Sequence, residues 1–297
     1  MEAIRQSFAV VRWNFQGFFK NPRVVATFLF SFVLCFFLSD RAMMVADYFD
    51  APMQAFEPFI WTFGDATAIL LCSLLFILLF LDLPKLSPFT PYMLIRIKKS
   101  RWLAAQFFYI LLATLLYMAY VFLVTGLLCM QKTFAGNIWS KTAALLAYSQ
   151  MGRELSVPSS VKVMESTSPF GCSLQIMLLL VGYVLTLSFL MLLFQMWLGK
   201  KAAIGAGLSY SLFGFLLDPD TLAAILHKED YQMFQVRRIA GWISPLNHAT
   251  YGMHDFGYDV LPTIAQSCMV FLAVLICLAG ASFWTLKKYN FSSFTGE

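Results

Sequence analysis

Charge is scarce in this sequence: Asp, Glu, Lys and Arg make up 12% of the residues, whereas 60% are hydrophobic and 17% aromatic. A water-soluble domain of 297 residues could hardly hide that much apolar surface. The long apolar runs also lack the polar–apolar alternation of a membrane β-barrel. The composition therefore predicts an α-helical membrane protein.

Motifs of familiar chemistry are missing as well. The sequence has no G-x-x-x-x-G-K-[ST] phosphate loop, no G-x-S-x-G nucleophile motif and no H-E-x-x-H zinc motif. No carboxylate is paired with a histidine or a cation in the middle of an apolar run, which proton-coupled carriers need. We therefore expect a chain that is not an enzyme, with no catalytic residues, no metal, no bound cofactor and no nucleic-acid partner.

Cysteine and histidine leave two alternatives open. The six cysteines show no C-x-x-C spacing and are interpreted as small apolar residues, although a disulfide between Cys129 and Cys172 is one alternative. His227, His248 and His254 share one polar segment with several carboxylates, so a zinc site is the other. Their spacing matches no compact ligand motif.

Six apolar runs are long enough, or nearly so, to cross about 30 Å of hydrocarbon as helices. They are residues 24–38, 59–81, 102–130, 173–198, 202–217 and 261–286. We expect one transmembrane domain over residues 1–297, an all-α polytopic fold. Within these runs, Asp65 is expected to cap a helix or to contact a cationic substrate, and Gly205 and Gly207 to permit close helix packing.

The distribution of Lys and Arg orients the six spans. With both termini inside, the cytoplasmic segments carry 13 cations and three acids, and the outer segments carry 8 cations and 13 acids. Short cytoplasmic loops favour Lys and Arg, so this pattern predicts an N-in, C-in topology. The outer loops are then residues 131–172 and 218–260, and interrupted helices are expected in the second of them, before the last span.

The N-terminal segment 3–20 has the periodicity of an amphipathic helix. Ile4, Phe8, Val11, Phe15 and Phe18 recur at helical spacing, and cations lie to one side of that stripe. Such a helix lies along the inner membrane surface, near anionic lipid headgroups. A simple interfacial anchor and a docking element for a partner both fit the pattern.

The cytoplasmic segment 82–101 combines three prolines with a cluster of cations. We expect a rigid turn that leads into a short helix over 92–101, next to or continuous with the third span. Two sequence stretches then carry a family resemblance: LIRIKKSRWLAAQ (94–106) and WISPLNHATYGMHDFGYD (242–259). Together with the topology of the whole chain, they resemble the membrane (permease) subunits of bacterial ABC-2-type, or type V, ABC transporters. Gln106 departs from the pattern, because a further cation would fit there.

The resemblance implies roles for particular residues. Segment 82–101 would be the coupling helix that contacts a separate ATPase, and 3–20 would be the connecting helix beside it. The implied coupling residues are Pro88, Pro91, Tyr92, Arg96, Lys98, Lys99 and Arg101. The implied connecting-helix residues are Arg5, Phe8, Arg12 and Phe15. The implied outer motif consists of Pro245, His248 and Tyr251.

The resemblance also implies a function. A permease in the bacterial cytoplasmic membrane, surrounded by lipids, would pair with a second, identical or homologous permease and with ATPase subunits that bind ATP and Mg²⁺. It would export an amphipathic peptide, an antibiotic or a lipid-like substrate. The alternatives are a secondary carrier or channel not driven by ATP, a membrane enzyme, and a sensory or assembly subunit.

Overall fold

The structure is a computed structural model, and the helices it contains account for most of the chain. It describes residues 2–86, 89–148, 160–217, 222–223, 225, 227, 233–257, 260–289 and 291. In these residues the α-helices are α1 (Glu2–Phe15), α2 (Pro22–Tyr48), α3 (Glu57–Phe63), α4 (Ala66–Leu79), α5 (Thr90–Arg96), α6 (Lys99–Leu128), α7 (Lys141–Tyr148), α8 (Val161–Ser166), α9 (Pro169–Leu198), α10 (Lys200–Leu216), α11 (Met233–Ile243), α12 (Pro245–Ala249) and α13 (Ile264–Leu286). Single 3-10 turns occupy Phe18–Lys20, Met130–Lys132 and Tyr251–Met253.

Four helices are long and apolar enough to cross a membrane. These are α2, α6, α9 and α13, with 27, 30, 30 and 23 residues. The pair formed by α3 and α4 passes the same test together and becomes a fifth candidate if it is counted as one bent span. These helices indicate a multi-pass, α-helical membrane protein. Helix α10, at the fifth predicted span, has only 17 residues, so six crossings remain a prediction.

Two predicted spans differ from the observed helices. Helix α2 continues about ten residues beyond the predicted end at 38, because a helix that leaves the hydrocarbon can extend into water with Asp40 and Arg41 on its surface. The predicted span 59–81 is not one straight helix, since α3 and α4 meet at an angle of 81°. Gly64 ends α3, and the Asp65 carboxylate caps α4 by accepting the Thr67 N–H at 3.2 Å. The capping role expected for Asp65 is therefore confirmed.

Helix α9 lies at the centre of the bundle, in contact with α3, α4, α6, α10, α12 and α13. In its most apolar 18-residue stretch, 56% of the residues are buried, compared with 11% in the corresponding stretch of α13. Glycines set the closest approaches: a Cβ on Gly182 would lie 2.8 Å from the Phe271 ring of α13. A Cβ on Gly207 would lie 3.2 Å from atoms of Ile77 and Met191, as the predicted close packing requires, whereas a Cβ on Gly205 would have no neighbour within 4 Å, so close packing at Gly205 is not found within this chain.

The two ends of the bundle are built differently. We call them the α5 end, which also holds α1 and the start of α6, and the α12 end. At the α12 end, β1 (Met53–Gln54) and β2 (Thr133–Phe134) pair in parallel.

All six cysteines are free, including Cys129 and Cys172, both of which are buried.

Candidate functional site

Helix α5 is a separate short helix beside the start of α6. It spans Thr90–Arg96, whereas the sequence predicted a helix over 92–101. Ile97 and Lys98 adopt extended backbone conformations, with ψ angles of 132° and 138°, which end α5 and begin α6 at Lys99. The cations of the predicted helix are therefore divided between the end of α5 and the first turn of α6.

Most of the predicted coupling residues lie on the surface at this end. Pro91, Tyr92, Arg96, Lys98 and Lys99 are exposed, Tyr92 by 69% of its surface. Ile95 is 82% exposed, although the sequence reasoning did not single it out. Pro88 lies outside the residues that the structure describes.

Arg101 differs from these residues because it is a structural link. Its guanidinium donates a hydrogen bond to the Gln6 side chain of α1 at 2.6 Å, and its carbonyl accepts one from the Ser7 hydroxyl at 3.2 Å. Arg101 is only partly exposed. It therefore joins α1 to α6.

Helix α1 packs on α6 through the C-terminal part of the predicted apolar stripe. Val10 and Val11 are buried against the bundle, whereas Ile4 and Phe8 are 64% and 53% exposed. The helix ends at Phe15, because Gly17 has a φ of +78° that breaks the predicted 3–20 helix.

Aromatic contacts hold α1 against both α5 and α6. Phe15 is half-buried, with its ring centroid 5.0 Å from that of Tyr109 on α6. The centroid of the Trp13 ring lies 5.7 Å from that of Phe89, the residue that precedes α5. Helices α1 and α5 thus form one continuous surface at the start of α6.

Five cations of this surface have no ion-pair partner among the described residues. They are Arg5, Arg12, Arg96, Lys98 and Lys99, and we call them the basic surface. Lys98 and Lys99 stand at the N-terminus of α6, where the helix dipole disfavours positive charge by about 0.3–1 kcal/mol per residue. Their position therefore does not stabilise the helix, although the Lys99 ammonium lies 5.1 Å from the centroid of the Phe291 ring.

The segment that leads to α5 is anchored by Asp82. This carboxylate forms a salt bridge with Arg23 at the start of α2 and accepts a hydrogen bond from the Asn21 amide at 3.3 Å. Lys200, at the start of α10, approaches the same carboxylate at 3.8 Å. One acid thus ties the segment to two helices, and the sequence reasoning missed it because its partners are distant in the chain.

Gln106 and Lys85 form a second anchor for the same segment. The Lys85 backbone N–H donates to the buried Gln106 side-chain oxygen of α6 at 3.0 Å. Burial, followed by repulsion from Arg23, lowers the pKa of the Lys85 ammonium. Gln106, where a cation would fit the family pattern, therefore has a structural role in this chain.

The predicted outer motif lies at the opposite, α12 end, and it is internal rather than exposed. Pro245 is the first residue of α12 and is half-buried, and His248 and Tyr251 are buried. Ser244 caps α12 and donates a hydrogen bond to the Gly214 carbonyl of α10 at 2.7 Å. The Tyr251 hydroxyl donates to the Gln175 side chain of α9 at 2.6 Å.

The structure brings two of the three histidines together. His248 and His254 both contact the Ser267 hydroxyl of α13, whereas His227 is exposed. In the described part of the chain, no group of three or more His, Cys, Asp or Glu residues is arranged to hold a metal ion.

Comparison of the chain with protein-family models, with curated proteins and with solved structures found no match in any of the three.

Proposed function

We propose that this chain is the permease subunit of an ATP-driven exporter of the ABC-2 type, in the bacterial cytoplasmic membrane. The observation that carries the proposal is the basic surface: cations on α1, on α5 and at the start of α6, without an ion-pair partner among the described residues, at one end of an apolar bundle. Such a surface suits acidic patches of a soluble partner together with anionic lipid headgroups.

The order of elements supports the same proposal. An amphipathic α1 precedes the first membrane-length helix, α5 lies between the second and third candidate spans, and the short α11 and α12 precede the last one. With α10 as a fifth crossing and α13 as the sixth, the basic surface faces the cytoplasm. The concentration of Lys and Arg at this end favours that N-in, C-in orientation.

The ATPase subunits bind ATP and Mg²⁺, and this chain transmits their closure through α5. The double anchor of the segment, at Asp82 and Lys85, would pass a displacement of α5 to α2, α6 and α10. Such coupling requires contacts that differ between two states of the complex. A second permease completes the pathway.

The exported substrate is an amphipathic peptide, an antibiotic or a lipid-like molecule. Exposed Phe30, Phe36 and Phe37 on α2 give the bundle an aromatic outer face that suits the apolar part of such a molecule as well as lipid.

Co-purification from the native membrane tests the proposal. The chain is tagged, extracted gently and analysed for a stoichiometric subunit with a phosphate-loop ATPase sequence. We expect this subunit with the wild-type chain and its loss from the triple variant R96A/K98A/K99A.

The matched control is K141A/R237A/R238A, which removes the same charge from exposed positions at the α12 end. It should retain the ATPase. Absence of an ATPase from the wild-type preparation, or its retention by the R96A/K98A/K99A variant, would overturn the proposal. Ion or proton flux through the purified chain alone would then favour the secondary carrier or channel.

A further inference from the structure

Two buried histidines share one hydroxyl group at the α12 end. The Ser267 Oγ of α13 lies 2.8 Å from His248 Nδ1 and 2.9 Å from His254 Nε2. All three side chains are buried, His248 with 2% of its surface exposed and the other two with none. The contacts join α12, the 251–253 turn and α13 at a single point.

The other nitrogen of His248 determines its tautomer. His248 Nε2 lies 3.1 Å from the Trp242 carbonyl oxygen, which can only accept a hydrogen bond. Nε2 must therefore carry the proton of the neutral ring. His248 Nδ1, which faces Ser267, is then an acceptor.

His254 has the opposite tautomer for the same reason. Its Nδ1 lies 3.1 Å from the carbonyl oxygens of Thr250 and of Tyr251, and it must donate to them. In the neutral ring, His254 Nε2 is then also an acceptor, and it also faces Ser267.

The cluster is therefore short of one proton when both rings are neutral. Ser267 has one hydroxyl hydrogen but faces two imidazole acceptors, so it can satisfy only one of them. A single added proton completes both contacts: one imidazolium N–H donates to Ser267 Oγ, and the Ser267 O–H donates to the other imidazole. A second proton would leave the hydroxyl hydrogen without an acceptor and place two cations side by side.

The helices packed around α12 bring little charge to the cluster. Helices α4, α9 and α13 contain no Asp, Glu, Lys or Arg. Lys200 and Lys201 begin α10 at its opposite end, and Arg237 and Arg238 of α11 are exposed.

The titratable neighbours on the turn and after it are Tyr251 and Asp255. Tyr251 uses its hydroxyl on Gln175 and also contacts Cys172 of α9. Asp255, which follows His254, is half-buried, and its carboxylate accepts the Gly257 N–H at 2.7 Å. The added proton is therefore held mainly by hydrogen bonds within the cluster, with the Asp255 charge nearby.

We propose that His248, Ser267 and His254 form a binding site for one proton, which the two imidazoles share through the Ser267 hydroxyl. Its occupancy links the α12 segment to α13. The inference does not depend on the exporter proposal, but in the N-in, C-in orientation the site would respond to the pH outside the cell.

Burial sets the pH range in which the site fills. It lowers the pKa of His254 to about 4, opposed in part by the Tyr251 and Thr250 carbonyls, and it also lowers the pKa of His248. The site is thus empty at neutral pH and takes its proton under acid conditions.

NMR of the imidazole nitrogens tests the proposal directly, because the chain has only three histidines. The full-length protein is labelled at histidine, reconstituted in nanodiscs and titrated from about pH 8 to about pH 2.5, so that midpoints near and below pH 4 are reached. H227Q, H248Q and H254Q variants assign the signals. At about pH 8 we expect His248 protonated on Nε2 and His254 on Nδ1, and on acidification both rings should shift with one common midpoint and an uptake of one proton.

The variant S267A removes the shared hydroxyl and should lower that midpoint by at least about one pH unit, because the imidazolium loses its acceptor. S267T retains the hydroxyl and should keep the common midpoint. S282A is the matched control on the same helix, since the buried Ser282 hydroxyl donates to the Leu278 carbonyl and has no other hydrogen bond among the described residues. Any of three results would overturn the proposal: identical tautomers at about pH 8, two separate midpoints, or an unchanged midpoint in S267A. The tautomers are measured on the wild-type protein, so this test remains even if a variant fails to fold.

Discussion

Glu57 is a buried carboxylate whose surroundings consist of hydrogen-bond donors. Its Oε2 accepts the Gln54 N–H at 2.9 Å and the Ser140 hydroxyl at 2.6 Å, and its Oε1 accepts the Ser140 N–H at 2.8 Å. The Ser140 hydroxyl itself accepts the Ala143 N–H, so its own hydrogen goes to Glu57. The residue ties the start of α3 to the start of α7.

We expect E57Q to destabilise the protein by about 1–3 kcal/mol, because either orientation of the amide places an NH₂ group against a backbone N–H. Thermal unfolding in detergent measures the effect. E165Q is the control, since Glu165 is an exposed acid that contacts only the Tyr148 hydroxyl among the described residues. Equal melting temperatures for E57Q and E165Q would contradict this account.

The buried histidines predict a loss of stability in acid. An unfolded histidine has a pKa of about 6.5, whereas burial lowers the pKa of His254 to about 4 in the folded protein. Between these values the unfolded chain binds the extra proton, so the free energy of unfolding falls as the pH decreases from about 6.5 to about 4, by on the order of 3 kcal/mol. His248 contributes in the same direction.

Melting temperatures of the wild-type protein and of H227Q across that pH range should fall in parallel, because His227 is exposed. The slope should be smaller in H254Q. A melting temperature that does not change between about pH 6.5 and about pH 4 would show that the two rings are not buried in their neutral form.

At the scale of the element, α12 is held against α10 by the absence of a side chain at Gly214. A Cβ at this position would lie 2.8 Å from the Leu246 Cβ and 3.0 Å from its backbone nitrogen. Neither atom can move without a shift of α12 itself. The position of α12, and of the histidines that follow it, therefore depends on this glycine.

G214A should destabilise the bundle by about 1–3 kcal/mol through this overlap. G205A is the matched variant on the same helix, and it should be neutral or slightly stabilising. A Cβ at this position would have no neighbour within 4 Å, and alanine favours a helix over glycine by up to about 1 kcal/mol. The melting temperatures of G214A and G205A in detergent measure the two effects. A destabilisation of G205A as large as that of G214A would argue against the α10–α12 contact.

The helices that could be predicted are those whose signal is local. Length and apolarity were sufficient to locate α2, α6, α9 and α13, and the interruption of the chain before α13 was also anticipated. The bend between α3 and α4 was not predicted, because a glycine and an aspartate inside an apolar run do not reveal an angle of 81°.

The sequence also indicated part of the basic surface, because Arg96, Lys98 and Lys99 are clustered along the chain. It could not indicate which part of the apolar stripe on α1 would be buried against the bundle, since Ile4 and Phe8 are as apolar as Val11. Contacts between residues distant in the chain, such as Asp82 with Lys200 or His248 with Ser267, depend on how the helices pack and have no local signature.

At the scale of the whole molecule, the orientation in the membrane is the prediction with the widest consequences. In a cysteine-free background, a cysteine at position 96 should react with a membrane-impermeant maleimide only after the cells are opened. A cysteine at position 237 should react in intact cells. Both native side chains are exposed, so accessibility within the protein does not limit the reaction. The reverse pattern would turn the basic surface outward and exclude contact with a cytoplasmic ATPase.

One carboxylate oxygen of Asp82 faces cations from two different helices, Arg23 of α2 and Lys200 of α10. If α10 slid relative to α2, the longer Lys200 contact would break while the Arg23 pair remained. Because the Lys200 and Asp82 side chains are partly exposed to water, the loss of that contact would cost little. The ion pairs of Asp82 therefore oppose separation of α2 and α10 but provide little energetic resistance to sliding of one helix along the other.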